Sequence, residues 1–303
     1  MKNVLVIYYS QSGQLKEIAD SVSLPFVEDP TYQVDFYNIQ MENDFPFPWD
    51  KEQFFGVFPD SFLQNPHPFH PPNQKILTTD YDLILLHYQV WYLSPSIPIN
   101  SFLKSKFAFQ LLQGKPVVTI SGSRNMWVYA QEKIKRLLLD NQAILVGNIA
   151  LTDRNINLVS VVTVVDWMFS GVKRKPHGFF PMPGVAEHEI KAAKKFGAII
   201  KKHSSSEDYR SLQQELIENN AVEIRWFLVS MDKKANRLFS IWANLFQRNP
   251  HQKTRLIKLF HLYLLVVIWM ISPIVHLVET IFYPFFYYKI QKQKRYYQRV
   301  EHQ

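Results

Sequence analysis

Ser10, Ser12 and Gly13 fall within the stretch Ser10-Gln11-Ser12-Gly13-Gln14-Leu15, directly after a short apolar run. Two hydroxyls, a glycine and several backbone N–H groups at a helix start can hold a phosphate monoester without any lysine. A second segment, Gln89-Val90-Trp91-Tyr92-Leu93-Ser94-Pro95-Ser96-Ile97-Pro98, offers aromatic side chains, and a third, Ser121-Gly122-Ser123-Arg124, offers hydroxyls and a cation. His67, His70 and His87 are candidates for proton transfer, because imidazole gains and loses a proton near neutral pH. His87 is the weakest of them, since it sits inside an apolar strand. His67 and His70 are too close in sequence and too Pro-flanked for a metal site. Asp153 and Arg154 follow the fifth strand and are candidates for substrate contact. Each of these has a plainer alternative: Ser10 to Leu15 as an ordinary strand-to-helix turn, Trp91 as a core residue, Arg124 as a solvated charge at a helix start.

Several chemistries are excluded outright. The chain of 303 residues has no cysteine, so disulfides, thiolate catalysis, thiolate zinc sites and Cys-ligated iron–sulfur clusters are absent from any mechanism. Redox work needs a borrowed cofactor. A net charge of +8 raises the question of nucleic acid, but much of the excess lies near the C-terminus beside an apolar run, where anionic lipid is the better partner. No nucleic-acid partner is expected. Met1-Lys2-Asn3-Val4 leads into an apolar stretch too short for a signal-peptide core, so the chain is expected to begin in the cytoplasm.

These residues need a scaffold, and the hydrophobic pattern supplies one. Lys2 to Tyr9, Gln33 to Ile39, Asp82 to Tyr88, Pro116 to Ser121 and Ala143 to Ile149 read as strands, separated by stretches able to form crossover helices. That alternation predicts an α/β fold with a parallel sheet. Trp127, Ala130, Ile134, Leu137 and Leu138 share one helix face; Ile190, Ala193, Phe196, Gly197 and Ile200 share another, in a Lys-rich helix closing the domain near Lys202. Residues 40 to 80 or so, rich in Pro and Phe, read as an insertion whose aromatics pack over a site. Ser204-Ser205-Ser206 marks the expected boundary between a domain of residues 1–203 and a helical extension of residues 204–303. In an open sheet of this kind ligands bind beyond the carboxyl ends of the strands, where Ser10 to Leu15 and Gln89 to Pro98 lie.

On those residues the chain resembles the flavodoxin-like family. Ser10, Ser12 and Gly13 match its phosphate loop, whereas Leu15 replaces a frequent Thr. The Gln89 to Pro98 stretch, with its Trp and following prolines, looks like the flavin-edge loop of the quinone-reductase branch, and the same resemblance makes Ser121 to Arg124 the third flavin loop. It implies a five-stranded parallel sheet with helices on both faces and FMN held by Ser10–Leu15, Gln89–Tyr92 and Ser121–Arg124, with NAD(P)H as a further cofactor to be considered.

Within that superfamily, Val4 to Gln14, Phe47-Pro48-Trp49 through Phe58-Pro59, Phe180-Pro181-Met182-Pro183-Gly184 and the aromatic tail are similar to the dialkylresorcinol condensing enzymes of bacterial aryl-lipid biosynthesis. The resemblance implies a ketosynthase partner, a hydrophobic small-molecule substrate, and oxidation of a dialkyl cyclohexane-1,3-dione to a 2,5-dialkylresorcinol. An NAD(P)H-dependent quinone reductase and a membrane-tethered electron carrier are the competing readings. From Leu259 to Tyr288 the only formally charged residue is Glu279, and basic residues flank the stretch on both sides. It is expected to enter the inner face of the cytoplasmic membrane without passing a domain across it; packing on the flavodoxin-like domain or on the partner in a homodimer is the alternative.

Overall fold

A computed structural model describes residues 1–300. Its strands are β1 (Lys2–Tyr8), β2 (Tyr32–Asn38), β3 (Leu83–Trp91), β4 (Ser94–Pro95), β5 (Pro116–Ser123) and β6 (Ile144–Thr152). The helices are α1 (Gln14–Val27), α2 (Lys51–Gly56), α3 (Phe58–Leu63), α4 (Gln74–Thr78), α5 (Ile97–Leu103), α6 (Lys106–Leu112), α7 (Val128–Asp140) and α8 (Asn157–Ser170). They continue as α9 (Glu187–Ala192), α10 (Lys194–Ser206), α11 (Leu212–Glu218), α12 (Trp226–Arg248), α13 (Lys253–Val266) and α14 (Ser272–Gln298), the last two joined by a π-helical turn at Val267–Ile271.

The sheet order is β2-β1-β3-β5-β6, every pair in it parallel, with only the two-residue β4 antiparallel to β3. This is the flavodoxin-like α/β fold. Successive residues of β1 go to opposite faces: Val4 and Val6 join α1, α9 and α10 in one core, and Leu5 and Ile7 join α5, α6 and α7 in the other. Burial on both faces is why the strands read as unbroken apolar runs.

The structure changes the expected end of the domain. Ser204 to Ser206 form the last turn of α10, with Ser204 buried, and the following chain returns to the sheet. α11 rests on β6 so closely that a Cβ at Gly147 would stand 3.2 Å from Leu212 Cδ2. Gln213 Oε1 accepts from Asn148 N–H, and Ala221 O from Ala150 N–H at 2.8 Å. Residues 207–224 therefore cover the open edge of β6, which would otherwise present unpaired backbone groups. The expected single Lys-rich helix is two, α9 and α10.

Residues 40–80 contain α2, α3 and α4 and build a third core with α12 and α13, in which Phe58 stacks on Phe260 at 4.0 Å. On α12 the apolar residues divide. Phe239, Ala243 and Phe246 face this core, while Leu238, Ile241 and Leu245 face outward.

α1 and α10 cross where Gly197 leaves no room for a side chain: a Cβ there would lie 2.0 Å from the Val22 carbonyl oxygen. Gly197→Ala gains about 1 kcal/mol of helix propensity but forces two helices apart, a strain costing typically 1–3 kcal/mol and occasionally more. The expected outcome is a lower urea midpoint. A raised midpoint would mean that the crossing is wider than described.

Candidate functional site

β1, β3 and β5 are neighbours in the sheet, so the loops after them open side by side. After β1 the chain must reverse into α1 at once, and Gly13 does so with a φ of 87° that a side chain would strain. Ser10 Oγ accepts from Lys16 N–H at 3.1 Å in the first turn of α1, while Gly13 at the N-cap has no side chain to reach the N–H groups of Gln14 and Leu15. The earliest N–H groups of the helix are thus left for a ligand. A Cβ on Gly13 would meet nothing within 4 Å, so the space beside the loop is open. Leu15 points the other way, into the core, where its Cδ1 would lie 3.0 Å from a Cβ on Gly122. Only its backbone is available to a phosphate.

Two neighbours fasten this loop. Gln14 makes a two-way amide clamp with Val185, donating from Nε2 to its carbonyl at 3.0 Å and accepting its N–H at 2.9 Å. The clamp passes Gly184 so tightly that a Cβ there would come within 2.5 Å of Gln14 Oε1. Gln11 ties the loop to the insertion: its Nε2 donates to Pro46 O at 2.7 Å and its Oε1 accepts from Trp49 Nε1 at 3.2 Å. The Pro- and Phe-rich segment therefore lies against the loop, as its composition suggested.

After β3, Trp91 pairs with Ser94 across a turn whose central residues, Tyr92 and Leu93, both have positive φ. Bulky residues pay for that conformation in strain, which packing in the third core offsets: Leu93 is buried and Tyr92 donates its hydroxyl to Phe54 O at 2.7 Å. Tyr92 thus supports the turn from the insertion side. Trp91 is half-buried within an aromatic group, 5.0 Å from Phe45, 5.6 Å from Trp49 and 6.2 Å from Tyr9, each edge to face. Val90 packs between the two sheet cores.

At the carboxyl end of β5, Ser121 is fully buried, and Ser123 Oγ, Asn125 Oδ1 just beyond it and Gln89 Nε2 of neighbouring β3 are buried without a hydrogen-bond partner among the described residues. Such groups are costly to leave unpaired, and here three lie at the carboxyl ends of adjacent strands. Arg124 is not a solvated charge: it donates to Asn157 O and Oδ1 at 3.2 and 3.0 Å, and burial pulls its guanidinium down to about 10. It stays protonated at neutral pH and pins the loop to α8.

The acid–base candidates separate. His67 Nε2 is 3.3 Å from Asp60 Oδ2, and its ring is 5.9 Å from Phe45 of the aromatic group. His70 is exposed, and its backbone N–H donates to Gln40 O at 2.8 Å. His87 is fully buried, and burial pushes its pKa down to about 4, so it is neutral and has no access to a solvent proton. Asp153 accepts from Ser160 Oγ at 2.7 Å and from Asn155 N–H at 2.9 Å, an arrangement that organises the start of α8. Arg154 is paired with Glu189 and Glu223 at the surface.

The sequence reading missed Trp49 and Gln14 as fasteners of the loop, and Asp60 as the partner of His67. It also missed Asp232, which lies buried on α12 and accepts Tyr129 N–H at 3.1 Å at the start of α7. Trp49 had a signal in the prolines around it. Asp232 had none, since its partner is about a hundred residues away.

Comparison with models of known protein families found no match, and comparison with curated proteins found none. Among solved structures, a flavoprotein in complex with FMN from Lactobacillus acidophilus NCFM superimposes with a TM-score of 0.38 at 19% identity, over 50% of this chain and 93% of that one. Proteins provisionally named flavoproteins from Bacteroides eggerthii (TM-score 0.39, 20% identity, 52% of this chain and 92% of that one) and Bacteroides uniformis (0.40, 18%, 55% and 97%) also match. Similarity at this level describes an overlap of about half the chain and carries no functional weight.

Burial raises the pKa of Asp232 to about 7, against about 3.9 in an unfolded chain. The folded state therefore holds a proton that the unfolded state has lost between pH 4 and 7, and this residue's contribution to stability falls as pH rises through that window. Asp232→Asn keeps an oxygen for Tyr129 N–H and removes the titration. Urea unfolding at a series of pH values should show the variant gaining on wild type from pH 4 to 7, by on the order of a few kcal/mol. A constant difference would place the Asp232 pKa near its ordinary value.

Proposed function

We propose that this protein is an FMN-dependent oxidoreductase that aromatises a dialkyl cyclohexane-1,3-dione to a 2,5-dialkylresorcinol. One observation carries the cofactor: the open helix start at Gly13, where no side chain meets the Gln14 and Leu15 N–H groups, stands beside the loops that hold Gln89 Nε2, Ser123 Oγ and Asn125 Oδ1, buried without a partner among the described residues. A flavin mononucleotide has the matching parts, a phosphate for the first and a ring edge of alternating donors and acceptors for the others. The residues present fit it. Ser10, Ser12 and the backbone of Gly13 to Leu15 would hold the phosphate, and Trp91 with Gln89 and Val90 would border the ring.

When bound, the flavin supplies a two-electron acceptor, taking a hydride while the substrate loses a proton. A 1,3-dione has acidified C–H bonds, so a modest base forms the enol. His67 is the base this geometry favours: Asp60 engages Nε2 and orients the ring, which leaves Nδ1 to accept the proton. Tyr9, Phe45, Trp49 and Trp91 exclude water and suit a substrate carrying two alkyl chains. Loss of one hydride and one proton converts the dione to the resorcinol, so the reaction balances. The dione and the ketosynthase that would furnish it follow from the family resemblance alone.

The test begins with a spectrum. The purified protein should be yellow and release FMN on denaturation; a colourless protein that cannot be reconstituted overturns the proposal. Ser12→Asp, which sets a charge against the phosphate, and Gly13→Val, which blocks backbone approach, should each abolish flavin retention. Trp91→Ala should retain the flavin with binding weakened by about 1 kcal/mol, the scale of one aromatic contact, and with reduced turnover. His67→Ala should keep the flavin and lower oxidation of the dione under air by about 100-fold, the lower end for a general base. A yellow protein inert toward the dione but active as an NAD(P)H-dependent quinone reductase would retain the cofactor and replace the substrate.

A further inference from the structure

We infer that the outer face of α13 and α14 seats this protein in one leaflet of an anionic lipid bilayer, with the long helix lying in the membrane plane. From Pro250 to Gln298 the chain forms one long helical segment whose most apolar window is only 6% buried. Leu262, Met270, Ile274, Leu277, Ile281 and Phe285 recur at helical spacing on it, from 58% to 81% exposed. Leu238, Ile241 and Leu245 of α12 are exposed as well. The run of exposed apolar side chains along α13 and α14 marks an interaction face.

The opposite face shows why the helix does not cross the bilayer alone. Phe260 is fully buried against Phe58 and Phe239, His276 packs on Phe227 at 4.1 Å, and Glu279 meets Ser230 and Lys234 of α12. Beyond them Ile290 is buried, Tyr296 donates to Glu132, and Gln298 O accepts from Gln213. Both ends of the apolar stretch are thus held to the same protein body. Leu259 to Tyr288 as helix extends roughly 45 Å, against a hydrocarbon layer of about 30 Å; a helix in the membrane plane has no such mismatch. α12 carries Lys233, Lys234 and Arg237, all exposed, which would be costly in hydrocarbon if it crossed alongside.

Charge selects the lipid as the occupant. Exposed Lys253, Arg255 and Lys258 precede the apolar stretch, and exposed Lys289, Lys292 and Arg295 follow it. Cations at both ends of an apolar ridge are the pattern of an interfacial helix on anionic headgroups. A second copy of this chain would bring the same basic clusters toward one another. The inference does not depend on which reaction the flavin site performs.

Full-length protein should co-sediment with phosphatidylcholine vesicles containing about one-third phosphatidylglycerol, and at least tenfold less with pure phosphatidylcholine or in high salt. The triple variant Leu277→Glu, Ile281→Glu, Phe285→Glu alters only exposed positions. It should stay in the supernatant while keeping the wild-type circular dichroism spectrum. On bound protein, trypsin added outside the vesicles should cut at both Lys253 and Lys292. Failure to sediment with anionic vesicles overturns the inference, as does protection of one basic cluster, which would mean a span. A lipid-free homodimer that the triple variant converts to monomer would overturn it too, by giving this face to a second copy. None of these results changes with loss of the flavin.

Discussion

A parallel strand buried on both faces can release its chain only at its ends, and β1 is such a strand. Its carboxyl end has to turn within a few residues into a helix that covers the sheet, and a backbone reversal that short is met here by the positive φ of Gly13. The price of the geometry is a helix whose first N–H groups have no internal partner. Since all strands of the main sheet run parallel, the ends of β3 and β5 bring further unsatisfied groups to the same edge. The binding capacity of this edge follows from the fold's own unmet hydrogen bonds.

What differs from a minimal sheet domain is how that edge is enclosed. The insertion reaches the loop after β1 through Gln11, Pro46 and Trp49, and the Trp49 backbone N–H also donates to Met168 O near the end of α8. Its far side is anchored by Phe55, Phe58 and Phe62 on α12 and α13. The extension is therefore coupled to the site through one aromatic core, and the strained turn at Tyr92 and Leu93 lies between them.

The strands were legible because two-sided burial writes itself as consecutive apolar residues, and all five long ones lie within a few residues of where the pattern put them. The three loops were legible because their place after β1, β3 and β5 follows from the alternation itself. Side-chain direction was not: Leu15 and Tyr92 lie in segments suited to a ligand, yet packing draws both into cores. Ser204 to Ser206 resembled a linker by composition, but serines are tolerated in a final helical turn, where Ser205 and Ser206 bond back to Lys201 and Lys202 carbonyls. Contacts such as Asp232 with Tyr129 join distant segments, and no local pattern encodes them.

The cover over β6 ties the completion of the sheet to the order of synthesis. A nascent chain emerges N-terminus first, so all five parallel strands leave the ribosome before Gln213 and Ala221 can bond to Asn148 and Ala150. Until then β6 is a bare edge able to recruit a strand from a neighbouring polypeptide. The hazard is brief, lasting on the order of ten seconds at elongation rates of about 5–20 residues per second. A translational pause between codons 152 and 224 would lengthen it, and slow codons in that interval should cost yield through aggregation even though the finished protein is identical.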